Sequence, residues 1–280
     1  MPQHLFDEWD EVRPDLRDRD ILLFLDYDGT LTPIKERPEM AKLHSEVRNI
    51  LRALARQEDV QIAIISGRSL SNLEKLIRIP GLTYVGNHGL ELHGPKIRHV
   101  HPSAQESKLL LHKIAMRLKK AFGPLPGIIV ENKIFTLSVH YRQLDPNKID
   151  FAKRLLFKEI GHLLGKSQIV FKEGKMVWEL RPAVEWDKGK TVLWLFARVL
   201  TRARGRVWPV YVGDDLTDED AFRVLKGKGL AVKVTQDSRE ATEAPYYLES
   251  AGEVLEFLKR IYQMKIARKY GARDKAAQSA

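Results

Sequence analysis

An open parallel α/β sheet carrying a smaller, inserted α+β module is the fold class predicted by this chain of 280 residues. Three observations carry that expectation. Short apolar runs alternate with stretches of helical periodicity, as βαβ units require. Four of the runs end in polar turns, DYDGT, SGR, GNHG and GDD, which places reactive side chains at strand carboxyl ends, where ligands sit in such sheets. Between roughly Gln105 and Val184 the pattern becomes helix, two strands, helix, two strands, the order of a separate α+β unit.

The first run, ILLFLDYDGTLTP from Ile21 to Pro33, ends in two aspartates one residue apart and then a glycine. Side chains two apart on a strand share a side. A strand continued through Asp26 and Asp28 would send both carboxylates out together, and Gly29 permits the abrupt turn that exposes them. Taken alone, Asp28-Gly29 reads equally as a polar turn after a buried strand.

Ser45 to Gln57 has Val47, Ile50, Leu51 and Leu54 at helical spacing and should pack on the sheet. The run VQIAIISGR then delivers Ser66, Gly67 and Arg68 to a loop before a second helical pattern from Leu70 to Ile77. Tyr84-Val85 followed by GNHGLEL makes a third short strand and a turn. VWPVYVGDD makes a fourth strand, again ending in aspartates.

Inside the insertion, a helical stretch to Ala121 precedes a hairpin, IIVENKIFTLSVHYR. A helix from Asn147 to Leu164 and a second strand pair, QIVFKEGKMVWEL, complete it. An insertion interrupting the sheet between its polar turns is well situated to act as a lid.

These residue types would suit attack on phosphorus. A carboxylate with an ordinary pKa of about 4 is ionised at neutral pH, so Asp26 needs no base to attack phosphorus. In WDKGKTVLWLFARVL, Asp187 caps a helix and Lys188 falls in its first turn, where amide donors favour an anion. VGDDLTDEDAF groups Asp214, Asp215, Asp218, Glu219 and Asp220 after a β-branched run. Such acids repel one another unless a cation is present, and oxygen ligands without cysteine point to magnesium rather than zinc. Asp218 to Asp220 read partly as the acidic start of a helix; Asp214, with Asp215 beside it, is the metal candidate.

Together the four motifs resemble those of the haloacid dehalogenase-like phosphohydrolases, and the resemblance covers nearly the whole chain apart from both ends. It implies a Rossmann-like parallel sheet core, residues 1–104 and 185–264, with an inserted α+β cap at 105–184 and a basic C-terminal tail at 265–280. It also implies that Asp26 forms an aspartyl-phosphate, that Asp28 protonates the leaving oxygen and then activates water, and that Ser66, Gly67, Arg68 and Lys188 hold phosphate. Mg2+ would take Asp26, Asp28 through its backbone carbonyl, Asp214 and Asp215.

More narrowly, GNHGLE, ENK, VHYR, WELRP and GDDLTDEDAF resemble motifs of the trehalose-6-phosphate phosphatase family. That resemblance implies Asn87 and His88 beside the phosphate or sugar, with Glu131, Lys133, His140, Arg142, Glu179 and Arg181 as the cap's contribution. It further implies a sugar phosphate substrate and a separate trehalose-phosphate synthase as a functional partner. Without it, Glu131 and Lys133 read as an exposed charged turn, and His140 and Arg142 as a solvated strand face. Phosphatases of sucrose phosphate or glucosylglycerol phosphate, a phosphomutase and a non-catalytic sugar-phosphate sensor are the alternatives.

Composition limits the remaining classes. A hydrophobic share of 44% and a charged share of 30% describe an ordinary globular chain. The acidic N-terminus lacks a secretory pattern, and the apolar runs are too short for a membrane span. Zero cysteines removes disulfides and thiolate sites and agrees with a cytoplasmic location. A net charge of +10 favours anionic ligands, yet no nucleic-acid motif is recognisable. His93, His99 and His101 read as surface loop residues, and Trp178 and Trp186 as packing.

Overall fold

The structure, a computed structural model, describes residues 1–35, 37–164, 169–174, 176–201 and 207–277. In chain order, β1 (Gln3–His4), α1 (Trp9–Asp18), β2 (Asp20–Asp26), α2 (Ser45–Ala55), β3 (Val60–Ile65), α3 (Leu70–Ile77) and β4 (Thr83–Gly86) build the first half of a sheet. The hairpin β5 (Glu91–Gly94) and β6 (Ile97–Val100) follows. Next come α4 (Pro102–Phe122), β7 (Ile129–Asn132), β8 (Leu137–His140), α5 (Ile149–Leu164), β9 (Ile169–Gly174) and β10 (Val177–Pro182). The chain then returns through α6 (Lys188–Leu200), β11 (Val207–Gly213), α7 (Glu219–Leu225), β12 (Leu230–Val234), β13 (Tyr246–Leu248) and α8 (Ala251–Ala277).

The large sheet runs β1-β13-β12-β11-β2-β3-β4-β5-β6, parallel as far as β4 and antiparallel across β5 and β6. Alternation along β2 sets its layers. Ile21, Leu23 and Leu25 enter a core with residues of α1, α2, α3 and α8, while Leu22 and Phe24 enter a second core with Val192, Leu195 and Phe222 of α6 and α7. Both faces are therefore buried, as a parallel sheet demands. Asp26 is in phase with Leu22 and Phe24, so it ends the strand on the face covered by α6.

A separate four-stranded antiparallel sheet, β7-β8-β10-β9, has its own core. Leu137, Val139, Trp178 and Leu180 pack there against Leu111, Leu118 and Leu156 of α4 and α5. The alternate residues fall on the opposite face. Glu131 and Glu179 both pair in register with Ser138, which forms a polar row across β7, β8 and β10.

Several expectations are modified. The large sheet has five more members than the four strands read from the sequence, since β1, β12, β13 and the antiparallel β5–β6 hairpin join it. The second unit's first helix starts at Pro102 rather than near Gln105. The chain does not become a tail at position 265: α8 continues, and the Lys265 ammonium is buried 3.0 Å from Asp59. His99 packs with a tilted ring against Trp194 and His101 against Trp186, and Trp178 is buried in the second core, as read. Among the described residues, no helix is long and apolar enough to cross a membrane.

Candidate active site

Three neighbouring strands, β3, β2 and β11, end side by side, so their next residues converge: Ser66 after β3, Asp26 at the end of β2 and Asp214 after β11. α6 adds Lys188. Its cap, Asp187, accepts the Lys190 amide at 2.7 Å, which fixes the first turn over the strand ends. The Lys188 Nζ is 2.7 Å from Asp26 Oδ1 and 2.6 Å from Asp218 Oδ1, and all three side chains are buried.

The strand stops at Asp26, so Asp28 does not continue it. It lies in the following turn, bridging to Thr32. Each aspartate has its own cation. Arg68 forks onto Asp28, with Nε and a terminal nitrogen each 2.7 Å from one carboxylate oxygen, a geometry that fixes the carboxylate's orientation. Arg68 also reaches Asn72 and lies over the Tyr27 ring. Gly29 has φ +91, and a Cβ there would come within 2.1 Å of Asp214 Oδ2. Only glycine suits both the backbone and the contact.

Ser66 Oγ accepts the Arg68 amide at 3.2 Å and keeps its own proton to donate. A Cβ on Gly67 would meet the His88 ring at 2.4 Å, so this glycine makes room for His88. Burial, aided by the nearby Arg181 cation, lowers the His88 pKa to about 3, and the ring is therefore neutral at neutral pH. Its Nε2 meets an Arg181 nitrogen at 2.8 Å and its Nδ1 has no hydrogen-bond partner among the described residues.

The polar face of the second sheet forms the opposite wall. Glu131 pairs with His140 at 2.9 Å. Burial disfavours the Glu131 charge, but the His140 hydrogen bond and the Lys133 cation hold its pKa below the ordinary value. Lys133 donates to the Gly67 carbonyl at 2.9 Å and lies 3.6 Å from Glu179. Despite the cost of burial, the Lys133 and Arg181 cations keep Glu179 strongly on the ionised side. Glu179 and Arg181 are also in direct contact.

One cleft brings together Asp26, Asp28, Ser66, Gly67, Arg68, His88 and Lys188 from one unit and Glu131, Lys133, His140, Arg142 and Glu179 from the other. Asp215 and Thr217 also line it, as do Ile34, Lys35 and Arg37 of the loop after β2. Two expected sugar contacts stand back from it. Asn87 is fully buried: its amide nitrogen donates to Glu91 and to the Lys133 carbonyl, and its oxygen accepts from Thr136. One of these bonds stays within its own unit and the other two tie it to the second unit. Arg181 sits behind Glu179 and His88.

The acidic group differs from the expected one. Asp26, Asp214 and Asp218 each offer a carboxylate oxygen within 4.8 Å of the others, whereas Asp215 caps the turn Leu216–Asp218. Asp218 Oδ1 receives Lys188 and the Tyr211 hydroxyl, and its Oδ2 receives the Asp215 amide. Three donors thus already occupy Asp218, two of them on Oδ1. Among the described residues, Asp214 accepts a hydrogen bond from Thr30 Oγ1, at 3.3 Å. Burial and the neighbouring Asp218 raise the Asp214 pKa to about 7, and burial raises Asp26 despite Lys188. A buried carboxylate, Asp26, and a half-buried one, Asp214, that resist ionisation together are a hard-cation donor set. Asp26 and Asp214 fit a divalent cation best, while Asp218 serves Lys188. In the sequence Asp218 reads partly as the acidic start of a helix and Tyr211 falls inside an apolar strand run, so neither signals a place in the site.

A family model described as trehalose-phosphatase matches residues 24–251. "Probable trehalose-phosphate phosphatase D" of Arabidopsis thaliana is 35% identical over 269 residues, 92% of this chain and 71% of that protein. A trehalose-phosphate phosphatase of Mycobacterium tuberculosis is 37% identical over 243 residues; the match takes in 85% of this chain and 60% of the mycobacterial protein's length. The solved C-terminal domain of Candida albicans trehalose-6-phosphate phosphatase superposes with a TM-score of 0.78 at 25% identity, covering 94% of this chain and 98% of that one.

Proposed function

The chain belongs to the trehalose-phosphatase family, and from that premise we propose that it hydrolyses trehalose 6-phosphate to trehalose and inorganic phosphate, with Mg2+ as its cation. The observation that carries this reading is the meeting in one cleft of the Asp26–Lys188 pair with the Glu131, Lys133 and Glu179 face. A separate synthase would supply the substrate.

In this reading the Asp26 carboxylate attacks phosphorus and the bond from phosphorus to the sugar oxygen breaks. The leaving oxygen takes its proton from Asp28. Asp28 then removes a proton from water, whose oxygen attacks phospho-Asp26, releasing phosphate and restoring the carboxylate. Lys188 and the Ser66 hydroxyl donate to the transferring phosphoryl oxygens, where preorganised donors matter most. To hold a proton, Asp28 must loosen at least one bond from Arg68, and an arriving phosphate is a competing bidentate partner for that guanidinium. Asp26, Asp214 and the Asp28 carbonyl would hold the cation, which would supply charge neutralisation at the phosphoryl group.

Substrate choice falls to the opposite wall, because a disaccharide's hydroxyls need paired donors and acceptors. Phosphate release from trehalose 6-phosphate, sucrose 6-phosphate, glucose 6-phosphate and an aryl phosphate tests the proposal, with trehalose 6-phosphate expected to lead. Glu131→Ala should lower kcat/KM on the preferred sugar phosphate roughly 10- to 100-fold, as expected for removing a hydrogen-bonding charged group. The aryl phosphate should change by no more than about threefold. Equal losses would remove Glu131 from sugar recognition. Lys133→Ala is a less selective probe, since Lys133 also holds the Gly67 carbonyl.

Cation binding should register in stability. Asp214 has a folded pKa of about 7 against about 4 unfolded. A raised folded pKa contributes stability that is present below pH 4 and lost as pH rises through 7. A bound cation offsets that loss, so the Mg2+-induced rise in Tm should be small at pH 5 and larger at pH 8. At a hundredfold excess over Kd the gain is about 2.7 kcal/mol, or roughly 5–10 °C for a chain of this size. A Tm unmoved by Mg2+ at pH 8 would count against a cation on Asp26 and Asp214.

A further inference from the structure

We propose that Tyr211 is a positioning residue for phosphoryl transfer, its buried hydroxyl fixing Asp218 so that Lys188 is delivered to Asp26. The inference rests on the reading of Asp26 as nucleophile and Lys188 as phosphate-binding cation.

Tyr211 lies on β11 with no exposed surface, its ring stacked 6.3 Å from Phe24 and edge-on 5.7 Å from Phe222. The surrounding core is otherwise aliphatic and aromatic. A phenylalanine would fill the same space without a buried hydroxyl, which is unfavourable unless it is hydrogen-bonded. The hydroxyl is bonded, and its partner is informative. It donates to Asp218 Oδ1 at 2.5 Å, the same oxygen that takes Lys188 Nζ at 2.6 Å. The ammonium in turn reaches Asp26 Oδ1 at 2.7 Å.

Asp218 is thus held at both oxygens by groups that do not meet the substrate: the Asp215 amide on one, the tyrosine on the other. The backbone contact sets its position, and the tyrosine sets how strongly it attracts Lys188. With two donors sharing Oδ1, the carboxylate's charge is divided, leaving the ammonium available to Asp26 and to a phosphoryl group beside it. Without the hydroxyl, Oδ1 keeps only Lys188 and draws it away from Asp26. The consequence belongs to the chemical step and not to the sugar.

The test is Tyr211→Phe, which keeps the ring packing. Its kcat should fall roughly tenfold to a hundredfold, the usual effect of one lost bond to a charged group, with KM changed less than about threefold. The factor should be the same for a sugar phosphate and an aryl phosphate. In an Asp218→Asn background, adding Tyr211→Phe should cost less than about twofold, because residues acting as a unit are non-additive. Orthovanadate in the presence of Mg2+ gives a readout independent of turnover: Tyr211→Phe should raise its Kd at least tenfold while the Kd for inorganic phosphate stays within about threefold. A wild-type kcat and vanadate affinity in Tyr211→Phe would overturn the proposal. So would losses that add fully to those of Asp218→Asn. If the unaltered chain releases no phosphate from any substrate, the proposed function fails, and the vanadate titration still decides Tyr211.

Discussion

Asp26→Asn is expected to fold normally and to lose turnover by roughly 10^4-fold or more, as when a nucleophile is removed. The amide has nearly the shape of the carboxylate but no negative oxygen with which to attack phosphorus. Asp28 cannot substitute for it, because its carboxylate lies in the turn and is held by Arg68. Stability should survive for an electrostatic reason. Burial, together with Asp218 and Asp214, works against the charge on Asp26, and Lys188 retains Asp218 when that charge is gone. We expect Tm within about 4 °C of the unaltered chain, equivalent to about 1 kcal/mol at this size. Turnover above one part in a hundred would require another nucleophile. A large fall in Tm with residual activity would make Asp26 a structural group.

How much of this site the sequence disclosed depends on what kind of signal each residue left. Asp26, Ser66 and Asp214 were legible because each follows an apolar run, and parallel strands that end together must bring such residues together. Lys188 was legible only from its helix start taken together with the acidic motifs around it. The ends of α3 at Leu70 and Ile77 follow the predicted periodicity, and α2 begins at Ser45 as read. β12 was missed because Lys233 interrupts its apolar run, yet that lysine is buried between Glu219 and Glu240, partners that only the tertiary fold supplies. β1 and β13 are short edge members with little pattern to read.

The same limit explains the changes within the site. Asn87 sits in a polar turn, the usual sign of a ligand contact, but it is used up joining Glu91, Lys133 and Thr136 across the two units. Asp215 and Asp218 are both acidic and three residues apart; their roles separate only because Asp215 turns to cap Leu216 while Asp218 points to Lys188. Composition carries the charge of a side chain, but not which way a tight turn sends it.

Lys188→Met should lose both stability and turnover, and the two losses should be separable. The side chain is 2% exposed and is the cation shared by Asp26 and Asp218. Removing it strands two buried carboxylates beside Asp214. Breaking a buried ion pair from one side typically costs about 3–5 kcal/mol, or roughly 6–20 °C in Tm at this chain length. The deficit should depend on pH with a definite sign. Asp26 has its folded pKa above the unfolded one even with Lys188 present, and losing that cation raises it further. Stability from such a group is present at low pH and lost as pH rises, so the Tm gap should be wider at pH 8 than at pH 5. Adding Asp218→Asn removes one surplus charge and should restore much of the Tm. Turnover should stay depressed at least about a hundredfold, since no ammonium remains to stabilise the transferring phosphoryl group. If kcat recovers together with Tm in the double variant, Lys188 is needed only to balance the charge of the fold; if Tm recovers alone, the ammonium acts on phosphate.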